Sequence, residues 1–74
     1  MGIFVKPMDR KSIEIRIDEN GTIRDIKKRI QEKLRIDPVE QKLIFRGFIL
    51  EDAKEAREYR ICHKSEIYLV SRQR

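Results

Sequence analysis

Hydrophobic and polar positions follow two different periods in this chain. Ile13, Ile15 and Ile17 are separated by Glu14 and Arg16 and preceded by Ser12, the period of two of a strand with one face on a core. From Ile23 the period lengthens. Ile23, Ile26, Ile30 and Leu34 stand three, four and four residues apart, a single stripe along a helix. The spacing predicts a helix over 22–34. Thr22 stands before the stripe as an N-cap, and Asp25 completes a weak capping box and suits the positive end of the helix dipole. Lys33 and Arg35 suit the other end, and Pro38 drives Asp37 out of helical geometry, closing the element.

The remaining segments read as strands and turns. Residues 2–6 alternate weakly, with Ile3 and Val5 on one face and Phe4 and Lys6 on the other. Pro7-Met8-Asp9-Arg10 reads as a turn into the strand over 11–17, making a hairpin. Asp18-Glu19-Asn20-Gly21 is a polar break before the helix. A third strand is predicted over 41–46, a turn at Gly47, a very short edge strand over 48–50 with Leu50 inward, and a last strand over 65–72. Residues 51–61 are irregular, with Ala56, Tyr59 and Ile61 as anchors. One helix across one face of a mixed sheet is the natural way to cover the stripe, and 74 residues make a single domain, 1–74.

Parity then raises a question. With Ile3, Val5, Ile13, Ile15, Ile17, Leu43, Phe45, Ile67 and Leu69 on the core side, Ile44, Tyr68 and Val70 must face water. They stand among Lys42, Arg46 and Arg72, and Lys6 shares the outward parity of its own strand. Met8 in the first turn and Phe48 after Gly47 extend the group. Isolated surface apolars are ordinary; a cluster ringed by charge has the composition of an interaction patch.

Composition narrows the field without choosing a function. Charged residues make up 42% of the chain and the formal net charge is +5, which attracts acidic proteins, nucleic acid or anionic lipid alike. The basic residues carry no aromatic-interleaved motif, so nucleic-acid binding ranks low among the readings. One cysteine, Cys62, permits no disulfide within the chain and suits a reducing compartment. The first ten residues lack the layout of a signal peptide, no apolar run nears the roughly 20 residues that span a bilayer, and the Asn20-Gly21-Thr22 sequon is read as inert. Cytoplasm or nucleus is the expected location. Neighbours in extended chain point apart, so Cys62 and His63 do not read as a catalytic pair. One cysteine and one histidine do not make the usual four-ligand zinc site. No cofactor, metal or catalytic residue is expected, and the chain reads as a non-enzyme.

The order of residues resembles ubiquitin without a gap from Met1 to Arg74. The resemblance is carried by Met1, Ile3-Phe4-Val5-Lys6, Lys11, Thr22-Ile23, Lys27, Ile30-Gln31, Ile36, Pro38, Gln41, Leu43-Ile44-Phe45, Gly47, Leu50-Glu51-Asp52, Tyr59, Ile61 and Leu69-Val70. It implies the α+β, β-grasp (ubiquitin-like) fold, a ββαββ mixed sheet with its first and last strands parallel at the centre and one main helix. It also implies that the family's partner-binding patch falls on Met8, Ile44 and Val70, with Tyr68 where ubiquitin has histidine and Phe48 beside them. Lys6, Lys42, Arg46 and Arg72 form a basic rim, and Phe4 matches a smaller secondary surface. The partners implied are ubiquitin-interacting motifs, ubiquitin-associated domains, or proteasome and segregase subunits, met by a monomer away from membranes.

Departures from the family pattern weigh against some of its roles. The family's modifiers end in Gly-Gly, whereas this sequence reads Ser71-Arg72-Gln73-Arg74 at its end. A modifier whose tail lies outside this sequence is the alternative reading, and a basic nucleic-acid-binding module is the second alternative. Lys6, Lys11, Lys27 and Lys33 coincide with chain-linking lysines, but Phe48 and His63 occupy the two best-known linkage positions. Ala56 resembles the cullin-attaching modifier rather than ubiquitin. The first turn has Arg10 in place of its glycine, and Arg35 follows the helix where ubiquitin has glycine in a left-handed C-cap, so either that loop has rearranged or Arg35 carries strain.

Overall fold

A computed structural model describes residues 1–71. Five strands, β1 (Gly2–Pro7), β2 (Ile13–Arg16), β3 (Gln41–Phe45), β4 (Phe48–Ile49) and β5 (Glu66–Ser71), form one sheet in the order β2-β1-β5-β3-β4. β1 and β5 run parallel at its centre and the other neighbours pair antiparallel. Helix α1 (Ile23–Leu34) supplies the crossover. The architecture is the α+β, β-grasp arrangement.

The predicted stripe is where the fold closes. Ile23, Ile26 and Ile30 are fully buried, with Leu34 packed against the cluster from its edge. They meet Ile3, Val5, Ile15, Leu43, Ile67 and Leu69 from the sheet. Each isoleucine so buried contributes about 1.5–3 kcal/mol relative to exposure. Ala56 and Ile61 are buried as anchors and Tyr59 is half-buried. Their irregular segment is stitched to the start of the helix: the Ala56 amide donates to the Gly21 carbonyl (2.9 Å) and the Ile23 amide to the Lys54 carbonyl (2.9 Å).

Boundaries differ from the sequence reading in small ways. Pro7 is the last residue of β1, paired with Leu69, rather than the first of the turn. A missing N–H is tolerated where a ladder ends. Ile13 is only half-buried, because β2 is an edge strand. Arg46 leaves β3 with φ 53°, followed by Gly47 at φ 82°. Two consecutive positive φ values make the primed turn that matches strand twist. Arg35 keeps the helix ending in the left-handed conformation (φ 59°) while its amide donates to the Gln31 carbonyl at 2.8 Å. Of the two alternatives posed at the helix end, strain applies at Arg35. Arg10 does not take a positive φ, and its guanidinium donates to the Leu34 carbonyl (3.4 Å). Arg60 and Lys64 also take positive φ.

Two polar residues sit inside. Lys27, between Ile26 and the next turn of the stripe, is buried, and its ammonium meets the Asp52 carboxylate at 2.6 Å. Gln41 at the start of β3 donates from Nε2 to the carbonyls of Lys27 (2.9 Å) and Ile36 (3.0 Å). It ties helix, connection and strand together. Lys27, one of the lysines named above, is thus held in an ion pair rather than free in solvent.

The capping box forms with both bonds. The Thr22 amide donates to Asp25 Oδ2 (3.0 Å), and the Asp25 amide to Thr22 Oγ1 (3.3 Å). The Thr22 amide holds the Asp25 carboxyl below its ordinary value near 3.8, against a small opposing desolvation. Folding thus lowers this proton affinity. The stabilisation is complete above the unfolded value and is lost as pH falls through the lower folded one. In urea titrations across pH 2–6, the Asp25→Asn chain should show a shallower acid decline than the parent. Thr22→Ala should cost about 1 kcal/mol at neutral pH. A second prediction concerns the ion pairs. Asp52→Ala strands a buried ammonium and should cost about 1–3 kcal/mol, discounted because Asp52 itself is half-exposed. Glu51→Ala breaks only the exposed pair with Lys54 and should cost less than about 1 kcal/mol, both read from denaturation midpoints.

Candidate functional site

The face of the sheet opposite α1 has no element packed on it among the described residues, so its residues are set by register alone. Residues directly opposite in paired strands project to the same side. Lys6 is opposite Tyr68, Tyr68 opposite Ile44, and Ile44 opposite Ile49. These pairs draw one row across four strands, β1 to β4, with a cation at one end and apolar or aromatic groups along the rest. The next row sets Lys42 opposite Val70, and Met8, one residue past the Pro7–Leu69 pair, lines a cleft with Val70.

The predicted patch residues thus divide as follows. Ile44 and Val70 are half-buried, while Tyr68 is 49% and Met8 80% exposed. These four come together on the open face. Lys6 and Arg46 are exposed and Lys42 half-buried at its margins; Arg72 lies outside the described residues. Phe4 is half-buried on the same face, between Glu14 and Glu66 in register. Its neighbours in register carry carboxylates where those of Ile44 are Tyr68 and Ile49, so it is a separate, smaller surface.

Phe48 requires a correction. It is 65% exposed, but its partner in the ladder is the inward-facing Phe45. It therefore has the parity of Phe45 rather than of Ile44, and lines a groove at the β4 edge with Phe45, Ile49 and Tyr59. The residue that extends the Ile44 row is Ile49, 58% exposed. The signal was present in the sequence: a two-residue turn at Arg46-Gly47 pairs 45 with 48 and 44 with 49 by counting. Leu50 inward points the same way, since residues 48 and 50 of a strand share a face.

Lys6, Lys42 and Arg46 make the margin around Ile44 positive, while Glu14 and Glu66 stand beside Phe4 on the same face; Arg46 also lies over the Phe45 ring, 5.4 Å from its centroid. The arrangement offers a small desolvatable centre with a positive margin. Elsewhere, Cys62 and His63 engage different neighbours: Cys62 Sγ lies 3.4 Å from Ser65 Oγ, while His63 Nδ1 accepts from the Gly2 amide at 3.1 Å. Among the described residues no group of three or more His, Cys, Asp or Glu side chains is placed to hold a metal ion, and no helix is long and apolar enough to cross a membrane.

Comparison with known proteins places this geometry. The chain is 46% identical to ubiquitin-like protein NEDD8 of Dictyostelium discoideum over 95% of its own length and 91% of that protein. It is 40% identical to NEDD8-like protein RUB3 of Arabidopsis thaliana, covering 95% and 90% of the two chains. Ubiquitin-like protein 4A of Esox lucius is 29% identical over 97% of this chain, but over only 47% of that longer protein. The family model described as "Ubiquitin family" matches residues 3–74, and the chain belongs to the ubiquitin family.

Proposed function

We propose that this ubiquitin-like domain is a non-enzymatic docking module. Its open sheet face binds ubiquitin-interacting motifs, ubiquitin-associated domains, or proteasome or segregase subunits. The observation that supports the reading is the row Tyr68–Ile44–Ile49 with Met8 and Val70 beside it. Three of these five side chains are about half exposed or more, and cations flank them on β1 and β3. Burial of the apolar centre supplies affinity, while Lys6, Lys42 and Arg46 speed and orient the approach of acidic partners. Cytoplasm and nucleus, where such partners work, are the proposed locations.

A covalent modifier is the second reading. It is favoured by likeness: the chain is 46% and 40% identical to the NEDD8-like relatives and 29% identical to ubiquitin-like protein 4A. The parent transcript beyond Arg74 separates the two, since a terminal Gly-Gly supports the modifier and a long continuation the embedded domain.

The docking reading is tested by titrating the domain with single ubiquitin-associated domains and ubiquitin-interacting peptides, observed by NMR. Ile44→Ala should weaken binding by about 2 kcal/mol or more if Ile44 is the anchor of the site. It should move the unfolding midpoint less than truncation of a fully buried core isoleucine, because Ile44 is only partly buried. Equal binding by parent and Ile44→Ala would remove the face from consideration.

A further inference from the structure

Resting on the docking reading above, we propose that Met8 is a reversible oxidation site that switches the docking face off. The chain holds two methionines, and the fold treats their sulfurs differently. Met1 is half-buried against the core, its ammonium donating to the Ile17 carbonyl (2.9 Å) and its carbonyl accepting from the Ile17 amide (2.8 Å). Met8 sits on the turn after β1 with 80% of its surface in water. It lines a cleft of about 190 Å³ with Leu69 and Val70. One thioether is thus open to attack, and it stands at the edge of the apolar centre rather than on a neutral part of the surface.

The chemistry is closed by one co-reactant. A sulfur lone pair of Met8 attacks a hydroperoxide oxygen, the O–O bond breaks, and water or an alcohol leaves. The sulfur is oxidised by two electrons and the peroxide reduced by two. The product, methionine sulfoxide, is returned to the thioether by sulfoxide reductases at the expense of a dithiol. The change is from a flexible apolar side chain to one bearing a strong acceptor oxygen. A partner covering Met8 would have to strip water from that oxygen without a designed donor opposite it, which penalises the complex. The free domain loses nothing comparable, because the side chain makes little of the core. Oxidation therefore acts on docking and not on folding. Cys62 is also exposed, but it lies in the turn before β5, beside Ser65, whereas Met8 adjoins the far end of that strand.

The test uses the full chain carrying Cys62→Ser, treated with hydrogen peroxide, mapped by peptide mass spectrometry, and titrated with the ubiquitin-associated domain that the parent binds. Met8 should be converted well before Met1, and affinity should fall by about tenfold, a shift of about 1.4 kcal/mol. Methionine sulfoxide reductase should restore it, and the affinity of Met8→Leu, whatever its starting value, should be the same before and after peroxide. Conversion of Met1 as fast as Met8, or equal binding by oxidised and reduced chains, overturns the proposal. Absence of binding by the reduced chain would instead sink the docking reading, and the switch resting on it.

Discussion

Burial of the isoleucine stripe of α1 on one face of the sheet is the constraint from which the rest of the molecule follows. With one cysteine in 74 residues, the chain has no covalent staple of its own, and a core this small leaves little margin. Three helix isoleucines at full burial must each find partners on β1, β3 and β5. That requirement fixes the parity of every central strand, since a slip of one residue would turn its whole apolar set to water. Lys27 and Gln41 are carried inside by the same requirement, and each survives there because a specific group, the Asp52 carboxylate or a pair of carbonyls, is waiting for it.

The open face of the sheet is the other side of that constraint. Once Leu43, Phe45, Ile67 and Leu69 are spent on the core, Ile44, Tyr68 and Val70 have only the wet side to occupy. The register across β5 and β3 then makes neighbours of residues more than twenty positions apart in the chain. Ile, Val and Tyr are residue types that strands favour on either face, and here they leave an apolar group on the side of the sheet away from the helix. Phe4, held between two carboxylate-bearing neighbours in register, shows how differently an outward aromatic is dressed one row away.

Much of this was legible in the sequence because it depends on local period. The helix, its capping box, the inward faces of β1, β2, β3 and β5 and the outward parity of Ile44 and Val70 all follow from spacing. What was not legible depends on pairing between distant segments. The central parallel contact of β1 with β5 came from the likeness to ubiquitin, not from the pattern. The burial of Lys27 arises because Asp52 is brought to it by the irregular segment after β4, which no local rule anticipates. The exchange of Phe48 for Ile49 in the row was an error of register, and the turn that decides it spans only Arg46 and Gly47. Arg35 takes the left-handed conformation because it closes a helix whose geometry the core enforces.

The four non-glycine residues held at positive φ, Arg35, Arg46, Arg60 and Lys64, are all cationic. At such positions a side chain raises the backbone energy by about 1–2 kcal/mol where glycine would be at ease. Sequence drift toward a sturdier fold would therefore erode the domain's basic character, and drift that preserves the charge keeps the backbone under tension. Robustness and electrical character are set against each other at the same four turns.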